Sequence, residues 1–256
     1  MKQIFILARH IVKELIRKKD FYVLLFLFVG LTAFLYSETF FGVEGISRYL
    51  KDVGFSVILL FSMIIAITFS AKQVPGEIES KTIYPLLAKP VSRTQFILGK
   101  FLGSLYISVF TFTVFYFLYL AAIYSKGEAA GVMLVIQSYI LSVSLLALIS
   151  AISIFFSLFL TVSANVTVTF LLYFFIYGYN DKLRDILTSA PQKLFYLYGF
   201  LYYVLPHFEF YDMRIRLVHL WDPLPAWVFA TIFIYTVLYI SAILWGASFL
   251  FRKKGL

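Results

Sequence analysis

Runs without a charged residue divide this chain into segments of membrane length. Phe21–Ser37 lies between Asp20 and Glu38, Val53–Ala71 between Asp52 and Lys72, and Phe101–Ser125 between Lys100 and Lys126. Ala129–Asn180 holds 52 residues without a charge. One helix crosses the hydrocarbon with about 20 residues, so this run predicts two spans, with the polar stretch Thr161–Asn165 as the turn between them. Pro223–Phe251 supplies the last span. The pattern predicts an all-α protein with six transmembrane helices over 21–37, 53–71, 101–125, 131–158, 165–180 and 224–251.

Two further segments are apolar without spanning. In residues 1–20, Ile4, Leu7, Ala8, Ile11, Val12, Leu15 and Ile16 recur at helical spacing, opposite Arg9, Lys13, Glu14 and Arg17. That pattern predicts an amphipathic interfacial helix on the inner leaflet rather than a cleavable signal. Leu194–Phe208 is short, contains Gly199 and ends at Pro206-His207. It reads as an interfacial or re-entrant element in an outer loop over 181–223. As a seventh span it would carry Arg252, Lys253 and Lys254 to the other side.

Composition agrees with a polytopic membrane protein forming one domain over 1–256. Hydrophobic residues make up 62% of the chain, and the mean hydropathy is +0.91. Orientation follows from Lys and Arg. The N-terminal segment, the 72–100 segment and the tail together hold 14, and the opposite loops hold 8. The richer side is cytoplasmic by the positive-inside rule. Both termini are therefore expected in the cytoplasm, with the chain in the inner membrane among its lipids. The net charge of +9 sits at the ends of apolar runs, which does not form a nucleic-acid footprint. There is no cysteine, which excludes disulfides, thiolate metal sites and a cysteine nucleophile.

None of the six predicted spans contains Asp, Glu, Lys, Arg or His. Ion- and proton-coupled carriers keep such groups within the membrane, where each costs about 2.5–3.5 kcal/mol on insertion scales. HExxH is also missing, as is a Ser/His pair within the spans. Energy for any movement must come from outside the membrane part. Gly99-Lys100 does not complete a P-loop, because Thr94 stands where its first Gly belongs and Phe101 where its Ser or Thr belongs. No catalytic residue and no cofactor site is expected. Gly99-x-x-x-Gly103, continued by Ser104 and Ser108, is instead a small-residue face for close helix packing.

The informative polar stretch is Pro75–Lys100, PGEIESKTIYPLLAKPVSRTQFILGK. Glu77 and Glu79 open a helix, Ile83, Leu86 and Leu87 follow at helical spacing, Pro90 stops it, and Ser92-Arg93 begins another. With Thr82, Pro90-Val91-Ser92-Arg93 and Gly99-Lys100 this run closely resembles the permease subunits of type-2 ABC exporters. Lys81 departs from the Gly common there before the Thr. The resemblance implies a coupling helix over Glu77–Ala88 that docks in a separate ABC ATPase subunit, which would bind ATP and Mg. The docking residues it implies are Glu77, Glu79, Thr82, Tyr84, Leu86, Leu87 and Arg93. It also implies a dimer with a second permease copy or a paralogue.

Tyr203–Phe210 resembles a stretch in the subgroup containing the permease that assists maturation of nitrous-oxide reductase. His207, Glu209, Asp212 and His219 lie nearby, at a spacing that matches no standard metal site. Polar residues within spans, Gln137, Ser138, Ser142, Thr167 and Thr169, are candidates to line a pathway. Two other readings stay open. One is a membrane scaffold that recruits an ATPase for assembly or mechanical work. The other is an enzyme using outer-loop groups such as Asp181, Asp185, His207 or Asp212. A neighbouring gene for a Walker-motif ATPase favours the transporter or the scaffold over the enzyme.

Overall fold

The computed structural model describes residues 46–79, 92–125, 130–189 and 204–253, with isolated positions at 22, 26, 29, 30, 199, 200 and 202. The amphipathic helix expected over 1–20, most of the first expected span, and Thr82, Tyr84, Leu86 and Leu87 lie outside the described residues. Tyr22, Phe26, Val29 and Gly30, within that first span, are helical.

The described elements are helical: α1 (Ile46–Lys72), α2 (Pro75–Glu79), α3 (Arg93–Ser125), α4 (Val132–Phe156), α5 (Val162–Ser189), a 3-10 turn (Phe208–Tyr211), α6 (Arg214–His219) and α7 (Ala226–Lys253). Five stretches within them are long and apolar enough to cross a membrane: Lys51–Glu79, Arg93–Ser125, Val132–Phe156, Val162–Tyr179 and Ala226–Arg252. They coincide with five of the six expected spans.

The helices run past the charge-free runs that located them. α1 begins at Ile46 and takes in Arg48, Lys51 and Asp52. α5 continues through Asp181, Lys182, Arg184 and Asp185 to Ser189, so the expected outer loop opens as helix. A charge marks where a membrane edge can fall, not where backbone hydrogen bonding ends. The turn between α4 and α5 also shifts. It is formed by Ser157–Leu160, where Leu158 and Phe159 donate back to Phe155 and Phe156. The polar residues expected in that turn open α5 instead. Thr161 Oγ1 accepts the Ala164 N–H at 3.4 Å, the work of an N-cap side chain.

α4 is the centre of the bundle and packs against α1, α3, α5, α6, α7 and the 3-10 turn. A helix that is apolar all round belongs inside, and the membrane-length window of α4 is 72% buried. The matching windows of α5 and α7 are only 17% buried, leaving Phe175, Trp227, Leu238 and Trp245 outward. In lipid, helix contact rests on close packing and hydrogen bonds rather than on water exclusion. The joint of α1, α3 and α4 uses both. Tyr119 donates to the Lys51 carbonyl at 3.0 Å, and Tyr116 donates to the Val135 carbonyl at 2.9 Å. The Tyr116 hydroxyl also meets Ser138 Oγ at 2.6 Å.

Gly54 lets α1 approach that joint, because a Cβ there would stand 3.0 and 3.2 Å from ring carbons of Tyr119. The ring is held by its hydroxyl and by Phe55 and Tyr116 beside it, so it cannot simply swing aside. Gly54→Val is expected to cost about 1–3 kcal/mol through overpacking, read as a lower unfolding temperature in detergent. Adding Tyr119→Leu, which removes the obstructing ring, should recover part of the loss relative to Tyr119→Leu alone.

Candidate functional site: the charged elbow between α1 and α3

α1 ends at Lys72, and the chain turns through the buried Gln73 and Val74. Gln73 N–H donates to Ser70 O at 3.2 Å, and Ile78 N–H donates to Val74 O at the same distance. Pro75 opens α2, a position where its missing N–H costs no hydrogen bond. Glu77 falls in the first turn, where a carboxylate complements the helix dipole.

Its side chain turns inward. Lys100 Nζ meets Glu77 Oε1 at 2.5 Å, with the two side chains 6% and 20% exposed. The ammonium also lies 5.6 Å from the centre of the Phe96 ring. The expectation that both acids face a partner therefore separates: Glu79 is exposed, whereas Glu77 pins α2 to α3.

The second arm of the elbow begins at Ser92. Its Oγ accepts the Gln95 N–H at 3.2 Å, and Gln95 Oε1 accepts the Ser92 N–H at 3.0 Å. This reciprocal capping box explains why α3 starts at Arg93. Arg93 Nη1 donates to the carbonyls of Phe251 at 2.7 Å and Arg252 at 3.2 Å. Its guanidinium also lies 5.6 Å from the centre of the Phe251 ring, and that ring stacks on Phe96. A cation on the last carbonyls of a helix satisfies acceptors that the helix itself leaves open. Arg93 thus ties the start of α3 to the end of α7. Gly99 and Gly103 are buried on α3 beside Lys100 and Ser104.

The pathway candidates separate. Gln137 is buried and makes a two-way bond with one residue: Nε2 donates to the Leu224 carbonyl at 2.9 Å, and Oε1 accepts the Leu224 N–H at 2.8 Å. Ser138 is buried and held by Tyr116 and the Val135 carbonyl. Thr169 is buried and donates to Asn165 Oδ1 at 3.0 Å. Thr167 is exposed and donates to its own helix at Ser163 O. Ser142 Oγ is buried without a hydrogen-bond partner. None of the five lines either of the two cavities described below.

Asn165, expected only as a turn residue, is a buried polar node. Its Nδ2 donates to the Ser153 carbonyl at 2.9 Å, and Ser153 Oγ reaches Ile67 O at 3.3 Å. A node joining α1, α4 and α5 over such sequence separations carries no local signal.

The opposite end of the bundle is also cross-tied. Arg214 Nε lies 3.2 Å from Asp52 Oδ1, and its Nη1 reaches Ser56 Oγ at 3.3 Å. Asp212 accepts the Tyr177 hydroxyl and, at 2.9 Å, the Arg214 N–H. Ser56, Tyr177, Asp212 and Arg214 line the polar corner of a cavity of about 170 Å³ walled by Leu59, Met63, Tyr173 and Phe208. His207 is buried among Tyr202, Phe210 and Tyr235. Loss of hydration pushes its pKa below the ordinary imidazole range, against a smaller opposing effect from its hydrogen bond to the Leu205 backbone, so the ring is neutral at neutral pH. Among the described residues no three His, Asp or Glu side chains come together as a metal site, and His219 stacks on Trp221 instead.

Residues 5–254 match the family model described as ABC-2 family transporter protein. The chain belongs to the ABC-2 transporter family. A comparison with curated proteins finds no match. Membership makes this a multi-pass permease, the membrane component of an ABC transporter without an ATPase domain of its own. Such a permease works with an ABC ATPase subunit.

Proposed function

We propose that this ABC-2 permease is the transmembrane half of an exporter in the inner membrane, with both termini cytoplasmic. ATP and Mg are bound by a separate ATPase subunit that docks on the 77–88 segment. Two copies, or this chain and a paralogue, form the pathway between them. The single observation that most supports this reading is how the elbow is fastened. Glu77 holds it to α3 through Lys100, and Arg93 holds α3 to the end of α7. A push on the segment between these anchors is thereby delivered to two spans at once. The Lys/Arg asymmetry supports the orientation. The Tyr203–Phe210 stretch supports placing the chain near the subgroup that assists maturation of nitrous-oxide reductase.

Glu79, exposed on the elbow, separates docking from folding. Glu79→Lys is expected to leave thermal stability within about 0.5 kcal/mol, as surface changes usually do. It should reduce the ATPase activity that co-purifies with the detergent-solubilised chain, since reversing a charge at an interface rim slows association. Undiminished co-purification would remove Glu79 from the docking surface, and a permease that never co-purifies an ATPase would remove the proposal.

The scaffold reading has one observation in its favour. Gln137, Ser138 and Thr169 are engaged within the protomer, so no polar pathway forms from these residues in a single copy. ATP-driven uptake of a substrate into inverted vesicles by the reconstituted complex would decide for transport.

A further inference from the structure

Near the charged elbow, α3 and α7 leave a groove of about 390 Å³ between them. Thr94 and Leu98 line it from α3; Ser241, Leu244, Trp245, Ser248, Phe249 and Arg252 line it from α7. Its chemistry changes along its length. Leu98, Leu244, Trp245 and Phe249 make an apolar trough, and Trp245 is 74% exposed. Arg252 stands at the head. Its Nη2 donates to Thr94 Oγ1 at 3.0 Å, which uses one of five guanidinium donors. Among the described residues no carboxylate pairs with Arg252, and none lines the groove. Ser248 is 4% exposed, lines the groove and has no hydrogen-bond partner for its Oγ.

We propose that this groove holds one anionic phospholipid. Its phosphate sits on the Arg252 guanidinium, and an acyl chain lies along Leu98, Leu244 and Phe249. The charge fits. Lys253 and Lys254 follow Arg252 in the chain, and the Arg93 guanidinium lies on the Arg252 carbonyl. A helix C-terminus ordinarily repels a phosphate through its open carbonyls; here Arg93 covers those of Phe251 and Arg252. The dimensions fit as well. From Arg252 to Ser241 the helix rises about 16 Å, close to half the hydrocarbon thickness of about 30 Å. A headgroup at Arg252 would thus place its chain along the whole trough. Trp245 lies about 10 Å below Arg252, where an indole can report on the acyl chain.

The test uses the full chain in vesicles. Trp221→Phe and Trp227→Phe leave Trp245 as the remaining one of the three tryptophans; both replaced residues are exposed. Brominated dioleoylphosphatidylglycerol in dioleoylphosphatidylcholine should quench Trp245 about fivefold more effectively than brominated dioleoylphosphatidylcholine at the same mole fraction, the preference expected of one basic residue near an anionic lipid. Arg252→Gln should bring the ratio to about one, and Arg252→Lys should retain most of it. Equal quenching by the two lipids in the parent protein overturns the proposal. Failure of both lipids to quench overturns it too, because a second copy then covers the groove. Loss of the preference in excess inorganic phosphate also overturns it, by showing a bare phosphate site.

Discussion

Glu77→Lys is expected to cost about 3–5 kcal/mol, the range for breaking a mostly buried ion pair and leaving its partner uncompensated. The substitution sets a second ammonium against Lys100, which is only 6% exposed and otherwise faces the Phe96 ring. Solvent can relieve some of this at position 77, where the side chain is 20% exposed, so the lower end of the range is the better expectation. The check is the unfolding temperature of the purified permease, alone and with Lys100→Glu added. The double variant restores opposite charges and should be more stable than Glu77→Lys. A Glu77→Lys protein as stable as the parent would show that the pair does not brace the elbow. Because Glu77 holds the permease together, its loss of function would say little about docking, and Glu79 is the residue to change for that purpose.

Gln137→Leu is expected to cost about 2–4 kcal/mol. The side chain keeps its bulk and loses both bonds to Leu224, so a backbone N–H and a carbonyl are left open in a part-buried site. Each such orphan costs about 1–3 kcal/mol. The change should appear as a lower unfolding temperature regardless of which substrate is present. A residue lining a pathway would behave differently, altering transport selectivity with stability unchanged. That second outcome would restore the reading of Gln137 as a pathway residue.

The spans were legible because lipid imposes one overriding rule. A backbone in hydrocarbon must satisfy its own hydrogen bonds and cover itself with apolar side chains. Charge-free runs therefore found α1, α3, α4, α5 and α7. Their ends were less legible, since α1 continues through Lys51 and Asp52 and α5 through Asp181–Asp185. The turn at Ser157–Leu160 was masked by the polar residues next to it. Thr161 and Asn165 looked like the turn, but they cap α5 and tie it to α4.

The candidate site was legible in outline and not in its pairing. Ser92-Arg93 marked where α3 begins, through capping chemistry local in sequence. The partners of Glu77 and Arg93 are not local. Lys100 lies across a helix break from Glu77, and Phe251 is a whole bundle away from Arg93 in chain order. Gln137 and Leu224 meet in the same way. Polar residues within spans invited a pathway reading because a single sequence does not reveal which of them already have partners.

α3 has 33 residues, so it is about 50 Å long and exceeds the hydrocarbon thickness of about 30 Å. At one end it is fastened by Lys100 and Arg93; toward the other, Tyr116 and Tyr119 bond to α4 and α1. A rod held in this way is a lever. Pivoting by about 10° around its middle, it would move Tyr119, about 15 Å from that middle, by about 2.6 Å, enough to carry its 3.0 Å bond to Lys51 beyond hydrogen-bond range. Small movements of the elbow would therefore be enough to exchange the Tyr119–Lys51 contact at the opposite face of the membrane for another. The stroke delivered there depends on the length of α3, so removing one turn from its middle would alter the coupling without touching either site.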